Sequence, residues 1–447
     1  MSELDSLAAR GFLPDEALRR AALLAEARGA LGARVAGSAF AMRTELLVPG
    51  RIEVLGKHTD YAGGRSLVSA TEQGFAIVAA PRADGIVSIT DVATAERAEF
   101  PIDPLLESGP GGWEVYPRTV ARRLARDFAG PWLGLDLAFK SDLPQAAGVS
   151  SSSALVVACL LALGDRNGWT GWERYQTAIR SLEDLASYAG AVENGRPFGP
   201  FSAGTGVGTL GGNQDQTAIL CSGADLLTQF GWAPVRREAA SPLPASLTFV
   251  IGASGVAAEK AGAALERYND TARRTAALWE LVRPVVAPGC ETLGSALDQG
   301  PEVAEVMRAR VVEAAPGAER DALLARLEQL RAECGEIIPG VVAALARGNL
   351  GQVRSLVARS QAGAELALGN QVPETRALVL AALAQGAVAA SAFGAGFGGS
   401  VWALVARDAA PAFMEEWRRV YSRRFPERAT AARFFVTRPA PPAIELR

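Results

Sequence analysis

Residues 49–64 read Pro49-Gly50-Arg51-Ile52-Glu53-Val54-Leu55-Gly56-Lys57-His58-Thr59-Asp60-Tyr61-Ala62-Gly63-Gly64. The stretch before and into this segment, Thr44 to Val54, alternates into β-branched residues and predicts a strand, so the polar cluster falls at a strand end. A guanidinium, an imidazole, a carboxylate and a phenol packed this closely can hydrogen-bond several hydroxyls of a sugar, and Arg51 could also face a phosphate. Gly50 to Lys57 nearly spells a Walker A loop. The spacing is one residue too long, however, and His58 stands where that motif needs Ser or Thr. The bland alternative is a polar loop that only caps a strand.

Two further glycine-rich segments lie downstream. Leu143-Pro144-Gln145-Ala146-Ala147-Gly148-Val149-Ser150-Ser151-Ser152-Ser153-Ala154-Leu155 leads into an apolar helix beginning near Ser152. Small residues let the backbone approach an anion, and N–H groups at a helix start favour phosphate. Serine hydroxyls add donors or a Mg²⁺ ligand, although a serine-rich helix start taken alone is more often an N-cap. Gly394-Ala395-Gly396-Phe397-Gly398-Gly399 comes before the apolar run Val401 to Val405. An apolar helix before this loop and a strand after it is the reverse of what dinucleotide binding requires.

The rest of the chain supplies a frame. Pro14 to Arg28 predicts an amphipathic helix whose buried face carries Leu18, Ala21, Ala22 and Ala25. Leu135 to Phe139 and Ser246 to Gly252 read as strands, helices dominate from Ala261 to Ala362, and Phe434-Phe435-Val436 reads as a last strand before a Pro-rich tail. Helices and strands mixed without a βαβ rhythm point to an α+β fold. A chain of 447 residues is expected to form two domains, and Ser241-Pro242-Leu243-Pro244 is the best boundary, giving 1–244 and 245–447.

Composition prunes the chemistry. A net charge of −3 leaves no cationic excess for nucleic acid, and the longest apolar run, Ala154 to Leu163, is about half a membrane span. No signal-peptide pattern opens the chain, and Cys159, Cys221, Cys290 and Cys334 are scattered, so a cytoplasmic protein with reduced thiols is expected. His58 is the only histidine, which excludes His-rich metal sites. Lysine occurs only at 57, 140 and 260, so a lysine inside a motif stands out.

Taken together, the three glycine-rich segments resemble the GHMP kinase superfamily, named for galactokinase, homoserine, mevalonate and phosphomevalonate kinases. The resemblance runs from about Glu45 to Val436. Gly56-Lys57-His58-Thr59-Asp60-Tyr61 is similar to the galactokinase signature Gly-Glu-His-Thr-Asp-Tyr. Trp113-Glu114-Val115-Tyr116 resembles the family's Trp-x-x-Tyr near the nucleotide, and Tyr268-Asn269 with Arg273 its Tyr-Asn…Arg sugar-side segment. Gly212-Asn213-Gln214-Asp215-Gln216 resembles Gly-Ile-Met-Asp-Gln.

The resemblance implies a two-domain α+β architecture, with an N-terminal domain like ribosomal S5 domain 2 and a ferredoxin-like C-terminal domain carrying the Gly394–Gly399 loop. It implies transfer of the ATP γ-phosphate to a hydroxyl, the anomeric one, of galactose or a related sugar. Arg51 and Asp215 match the catalytic pair. Lys57, His58, Asp60 and Tyr268 match sugar positions, and Trp113, Gly148, Ser150, Ser151, Ser152, Gly396 and Gly398 match ATP positions. Ser152 and Glu193 match the Mg²⁺ ligands. The implied partners are the sugar and ATP, with no nucleic acid, membrane or obligate protein partner.

Two departures bear on this. Gly195 to Gly211 is long where the family has a short turn, which loosens the match at Glu193. Lys57 replaces the glutamate that receives the sugar's C6 hydroxyl. That change leaves open galactose, an acidic sugar such as galacturonate received by Lys57, or another sugar; the rival of a different class is a catalytically silent sugar sensor.

Overall fold

The computed structural model describes residues 2–446 except 36, 145–146 and 257–261. Gln145 and Ala146 of the serine-rich segment, and Ala261 at the start of the helical half, lie outside the described residues.

In chain order the strands are β1 (Thr44–Leu55), β2 (Arg65–Pro81), β3 (Ile86–Asp91), β4 (Arg97–Pro101), β5 (Leu135–Ser141), β6 (Leu226–Trp232) and β7 (Val235–Pro242). They are followed by β8 (Leu247–Ala253), β9 (Ala389–Phe393), β10 (Ser400–Ala406), β11 (Arg433–Thr437) and β12 (Ile444–Leu446). The first sheet has eight strands in the order β12-β1-β2-β5-β3-β4, with β6 also on β2 and β7 on β6. The second has four, in the order β11-β8-β10-β9. Every pair is antiparallel except β3 with β5.

Strands β1 and β2 are apolar on both faces because each face meets its own helical layer. Leu46, Val48, Ile77 and Ala79 join the core of the helix Ser151–Arg166. Leu47, Ala76, Val78 and Ala80 meet Leu24, Ala27 and Leu31 of the N-terminal helix. That helix runs Pro14–Gly32, with proline in its first turn and Asp15 and Glu16 at the positive end of its dipole. Its buried stripe corrects the expectation. Ala17, Arg20, Leu24, Ala27 and Leu31 face inward, while Leu18 is 55% exposed. Both stripes have helical spacing, but the one with Leu24 and Leu31 brings two large side chains to the sheet and removes more apolar area from water.

The second sheet packs against the helices Pro373–Ala384 and Ala410–Arg424 through Leu378, Trp417 and Tyr421. Between β8 and β9 the chain is helical, and Leu278, Met307, Leu327 and Leu330 form a separate core there. Two expectations are corrected at the C-terminal end. Strand β9, not a helix, directly precedes Gly394, so the glycine loop closes an antiparallel hairpin with β10. After β11 the Pro-rich tail crosses back and adds β12 to the edge of the first sheet beside β1. Among the described residues no helix is long and apolar enough to cross a membrane.

Candidate active site

Strand β1 delivers Arg51 to the site through a break in register. Pairing with β2 shifts between Pro49 and Arg51, and there the Arg51 N–H donates to Val149 O of the serine loop at 3.2 Å. Gly50 permits this approach, since a Cβ would stand 2.6 Å from Leu143 and 2.7 Å from Val149 O. The guanidinium, almost fully buried, donates from Nε to Asp215 Oδ1 at 2.8 Å and from Nη1 to Gly148 O at 2.6 Å. One side chain thereby joins the first motif, the serine loop and the start of the helix Gln214–Cys221. Asp215 sits in the first turn of that helix, where the dipole favours a carboxylate. Its Oδ2 also accepts from Ser153 Oγ at 3.3 Å.

The loop after β1 is held open by its own backbone chemistry. Gly56 has φ +105°, and a Cβ would lie 2.4 Å from Ser66 Oγ. Thr59 Oγ1 bonds the carbonyls of Gly56 at 2.8 Å and Arg65 at 2.6 Å, pinning both ends. His58, also at positive φ, uses both ring nitrogens. Nε2 meets the Ala395 carbonyl at 3.0 Å, so it carries the proton, and Nδ1 accepts from Tyr61 Oη at 2.7 Å. Buried Arg326 donates to the His58 carbonyl from the helix Gly317–Ala332. Burial, with Arg326 and Lys57 nearby, pushes the imidazole down to about 4 and keeps it neutral.

This predicts a pH effect with a definite sign. The unfolded chain protonates His58 from about pH 6.5 downward, while the folded chain resists until about pH 4. Stability should therefore fall by roughly 3 kcal/mol as pH drops through that window. Denaturant titrations of wild type and His58→Gln at pH 7 and pH 4.5 test it. Equal losses in the two proteins would rule out this histidine as a source.

The cleft beside these groups is lined by Arg51, Glu53, His58, Asp60, Tyr61, Gln214, Asp215, Tyr268, Gly394 and Ala395. Asp60 Oδ2 accepts from the Gln214 N–H at 3.3 Å, and burial raises its carboxyl above the usual range. Tyr268 comes from the helix Gly262–Val282, its ring 5.3 Å from that of His58. Its neighbour Asn269 ties down the long segment after Glu193, accepting from Leu210 N at 2.9 Å and donating to Gly208 O at 3.1 Å. Arg273 lies on the outer face of the same helix, paired with Glu266 and Asp270.

Among the sugar-side candidates Lys57 stands apart. It is only 1% exposed and does not line the cleft. Its Nζ lies 2.9 Å from Ser391 Oγ and 3.5 Å from Ser360 Oγ, and Ser360 in turn donates to Glu333 at 2.8 Å. This placement does not favour an acidic sugar received by Lys57.

The serine and glycine loops lie against each other. Ser400 Oγ donates to Ala147 O at 2.5 Å, and a Cβ on Gly148 (φ +74°) would be 3.7 Å from Gly399 Cα. Gly396 needs its positive φ and bare Cα because a Cβ would strike Asn370 O at 2.4 Å; Gly398 is similarly crowded by Val256 O at 2.8 Å. Ser150 precedes the helix at φ +63° with its buried hydroxyl unpartnered, and Ser151 and Ser152 open the first turn. Glu193, buried in the last turn of Leu182–Asn194, accepts from Gln216 Nε2 at 2.5 Å, next in sequence to Asp215. Trp113 lies farther out, donating to Glu96 at 2.8 Å and packing edge-on against Phe139. Sequence reasoning missed Glu53 and Gln214 as lining residues. The signal for Glu53 was its i+2 spacing from Arg51, which puts both on one face of β1.

Three family profiles match the chain: GHMP kinases N terminal domain over residues 115–223, GHMP kinases C terminal over 341–423, and the galactokinase galactose-binding signature over 46–81. A galactokinase of Chloroflexus aurantiacus is 30% identical over 377 residues, covering 82% of this chain and 85% of that protein. A galactokinase of Roseiflexus sp. is 28% identical, covering 83% and 86%. Among solved structures, Lactococcus lactis galactokinase complexed with galactose superposes with a TM-score of 0.72 at 21% identity, over 91% of this chain and 95% of that one.

Proposed function

Because the chain belongs to the galactokinase family of GHMP kinases, we infer that it transfers the γ-phosphoryl group of ATP to the anomeric hydroxyl of galactose. The observation that carries this reading is the 2.8 Å Arg51–Asp215 ion pair on the wall of a polar cleft, where the sugar motif meets the serine and glycine loops. The sugar oxygen attacks the γ-phosphorus, the bond to the β-phosphate oxygen breaks, and ADP leaves. Asp215 accepts the hydroxyl proton as the oxygen loses it. Arg51 keeps that carboxylate ionised and offsets charge on the moving group. The helix start at Ser151 and the loop around Gly396 and Gly398 are the proposed cradle for the phosphates. Trp113 is the proposed edge of the nucleotide site.

The donor set suits Mg²⁺ better than a softer metal. Among the described residues no three or more His, Cys, Asp or Glu side chains form a metal cage. Ser152 and Glu193 offer hard oxygens, and magnesium commonly takes one or two protein ligands and completes its shell with water and phosphate. Their helices are linked to the Asp215 helix through Ser153–Asp215 and Glu193–Gln216. When bound, Mg²⁺ supplies charge neutralisation on the triphosphate. The same reading divides the chain near residue 244, supported by the start of the second sheet at Leu247. Four free cysteines are compatible with work in the cytoplasm.

Measuring ADP release with galactose at varied Mg²⁺ tests the reading. Wild type should require both, and Ser152→Ala and Glu193→Gln should each raise the Mg²⁺ needed for half-maximal rate by about tenfold. Absence of galactose-dependent ADP release would refute the function. An unchanged metal requirement in Glu193→Gln would remove that ligand.

A further inference from the structure

Glu53, an acid of the cleft, has no part in the chemistry above and matches none of the family's site positions. Glu53 follows Arg51 by two positions on β1, so both side chains leave the strand on the same face. It is 2% exposed and lines the cleft with Asp60, Asp215 and Tyr268. Its Oε2 accepts from Gln214 Nε2 at 2.9 Å, while Oε1 is buried with no hydrogen-bond partner among the described residues. The Gln214 backbone N–H reaches Asp60 Oδ2 at 3.3 Å, so one residue fixes two acids of the cleft at once. A buried carboxylate oxygen left without a hydrogen bond is costly. Such an atom beside a site for a polyhydroxylated ligand calls for a hydroxyl, which can donate to a carboxylate or accept from a carboxylic acid.

We propose that Glu53 is a specificity-determining residue of the acceptor site, its Oε1 hydrogen-bonding one ring hydroxyl of the hexose while Gln214 holds Oε2. The inference rests on the galactokinase reading and adds a contact to it. The groups around Glu53 act in opposite directions. Burial pushes its carboxyl up to about 7, and Asp215 from the neighbouring helix adds to this, whereas Lys57, Arg51 and the Gln214 amide oppose it. A carboxyl with a raised folded-state value costs nothing below the unfolded value of 4.5 and weakens the fold as pH rises through 7. Removing the charge should therefore strengthen the fold at alkaline pH, as expected for a residue kept for ligand recognition.

The test compares kcat/KM for galactose and its 2-, 3-, 4- and 6-deoxy analogues in wild type, Glu53→Gln and Glu53→Ala, with thermal melts at pH 5 and pH 8. One deoxy analogue should lose about tenfold or more in wild type, and that penalty should shrink to about twofold in Glu53→Ala, because the partner is already gone. Glu53→Gln should melt a few degrees above wild type at pH 8, with a smaller gap at pH 5. If alanine does not fold, the change of penalty is read in glutamine. Deoxy penalties identical in all folded variants would overturn the proposal, and so would a Glu53→Gln protein less stable than wild type at both pH values. A wild type inactive on galactose would instead overturn the proposed function.

Discussion

Asp215→Asn is expected to lower kcat by about 10²-fold or more while leaving the affinity for ATP near that of wild type. Asparagine fills the same space but cannot take the proton, and it removes the negative charge that faces Arg51. Arg51 is 4% exposed, and among the described residues its other acceptor is Gly148 O at 2.6 Å. Arg51→Ala should cost about as much, because it removes charge stabilisation of the transferring group together with the tie between three motifs. The pair acts as a unit, so the double variant should be little worse than either single one. Steady-state kinetics with melting curves for all three variants checks this, the melts separating lost chemistry from lost fold. Near-normal kcat in Asp215→Asn would remove this aspartate from the mechanism.

Lys57→Glu should act on stability, with a loss of about 3 kcal/mol or more. The ammonium is 1% exposed and sits in a closed network. Ser391 Oγ, its nearest partner at 2.9 Å, donates to Gln361 Oε1 at 3.0 Å. Ser360 Oγ donates to Glu333 Oε1 at 2.8 Å, and the same oxygen receives the Gly56 N–H at 2.9 Å. Lys57→Glu would set a second carboxylate beside Glu333 without a cation and loosen the loop at its first glycine. Lys57→Met, which keeps the stem and drops the charge, should lose less. Denaturant melts and a galactose-against-galacturonate competition decide between the roles. A Lys57→Glu protein as stable as wild type that changes its preference between these sugars would show that the side chain reads the substrate.

Where a segment's fate depended on its own residue order, the chain was legible. β1, the strand candidate Leu135–Phe139, the apolar helix after the serines and the strand after the glycine loop lie within a few residues of where periodicity put them. β2 escaped notice although it is the longest strand, Arg65–Pro81. Both its faces are buried, so it lacks the alternation of a half-exposed strand, and Ala, Ser, Thr, Glu and Gln interrupt its apolar run. β9 was hidden for a related reason, since Ala389-Ala390-Ser391-Ala392-Phe393 carries nothing to distinguish a short strand from the end of a helix.

The chemical groups and their order along the chain are local information: Arg51, the His58–Asp60 loop, the serine helix start, Asp215 and the glycine loop. Turns, caps and positive-φ glycines are written in adjacent residues, and so motifs built on them can be read locally. The direction in which each buried polar side chain turns depends instead on partners that folding brings to it. Lys57 leaves the cleft because Ser391 and Ser360, more than three hundred positions later, and Glu333 offer it a closed network. Glu53 stays in the cleft because Gln214 holds one of its oxygens and no hydrogen bond among the described residues reaches the other. A buried polar group goes where its partners are, since leaving one unmatched costs as much as a good contact contributes. Those partners come from distant parts of the chain, so no local pattern around residue 53 or 57 records the outcome.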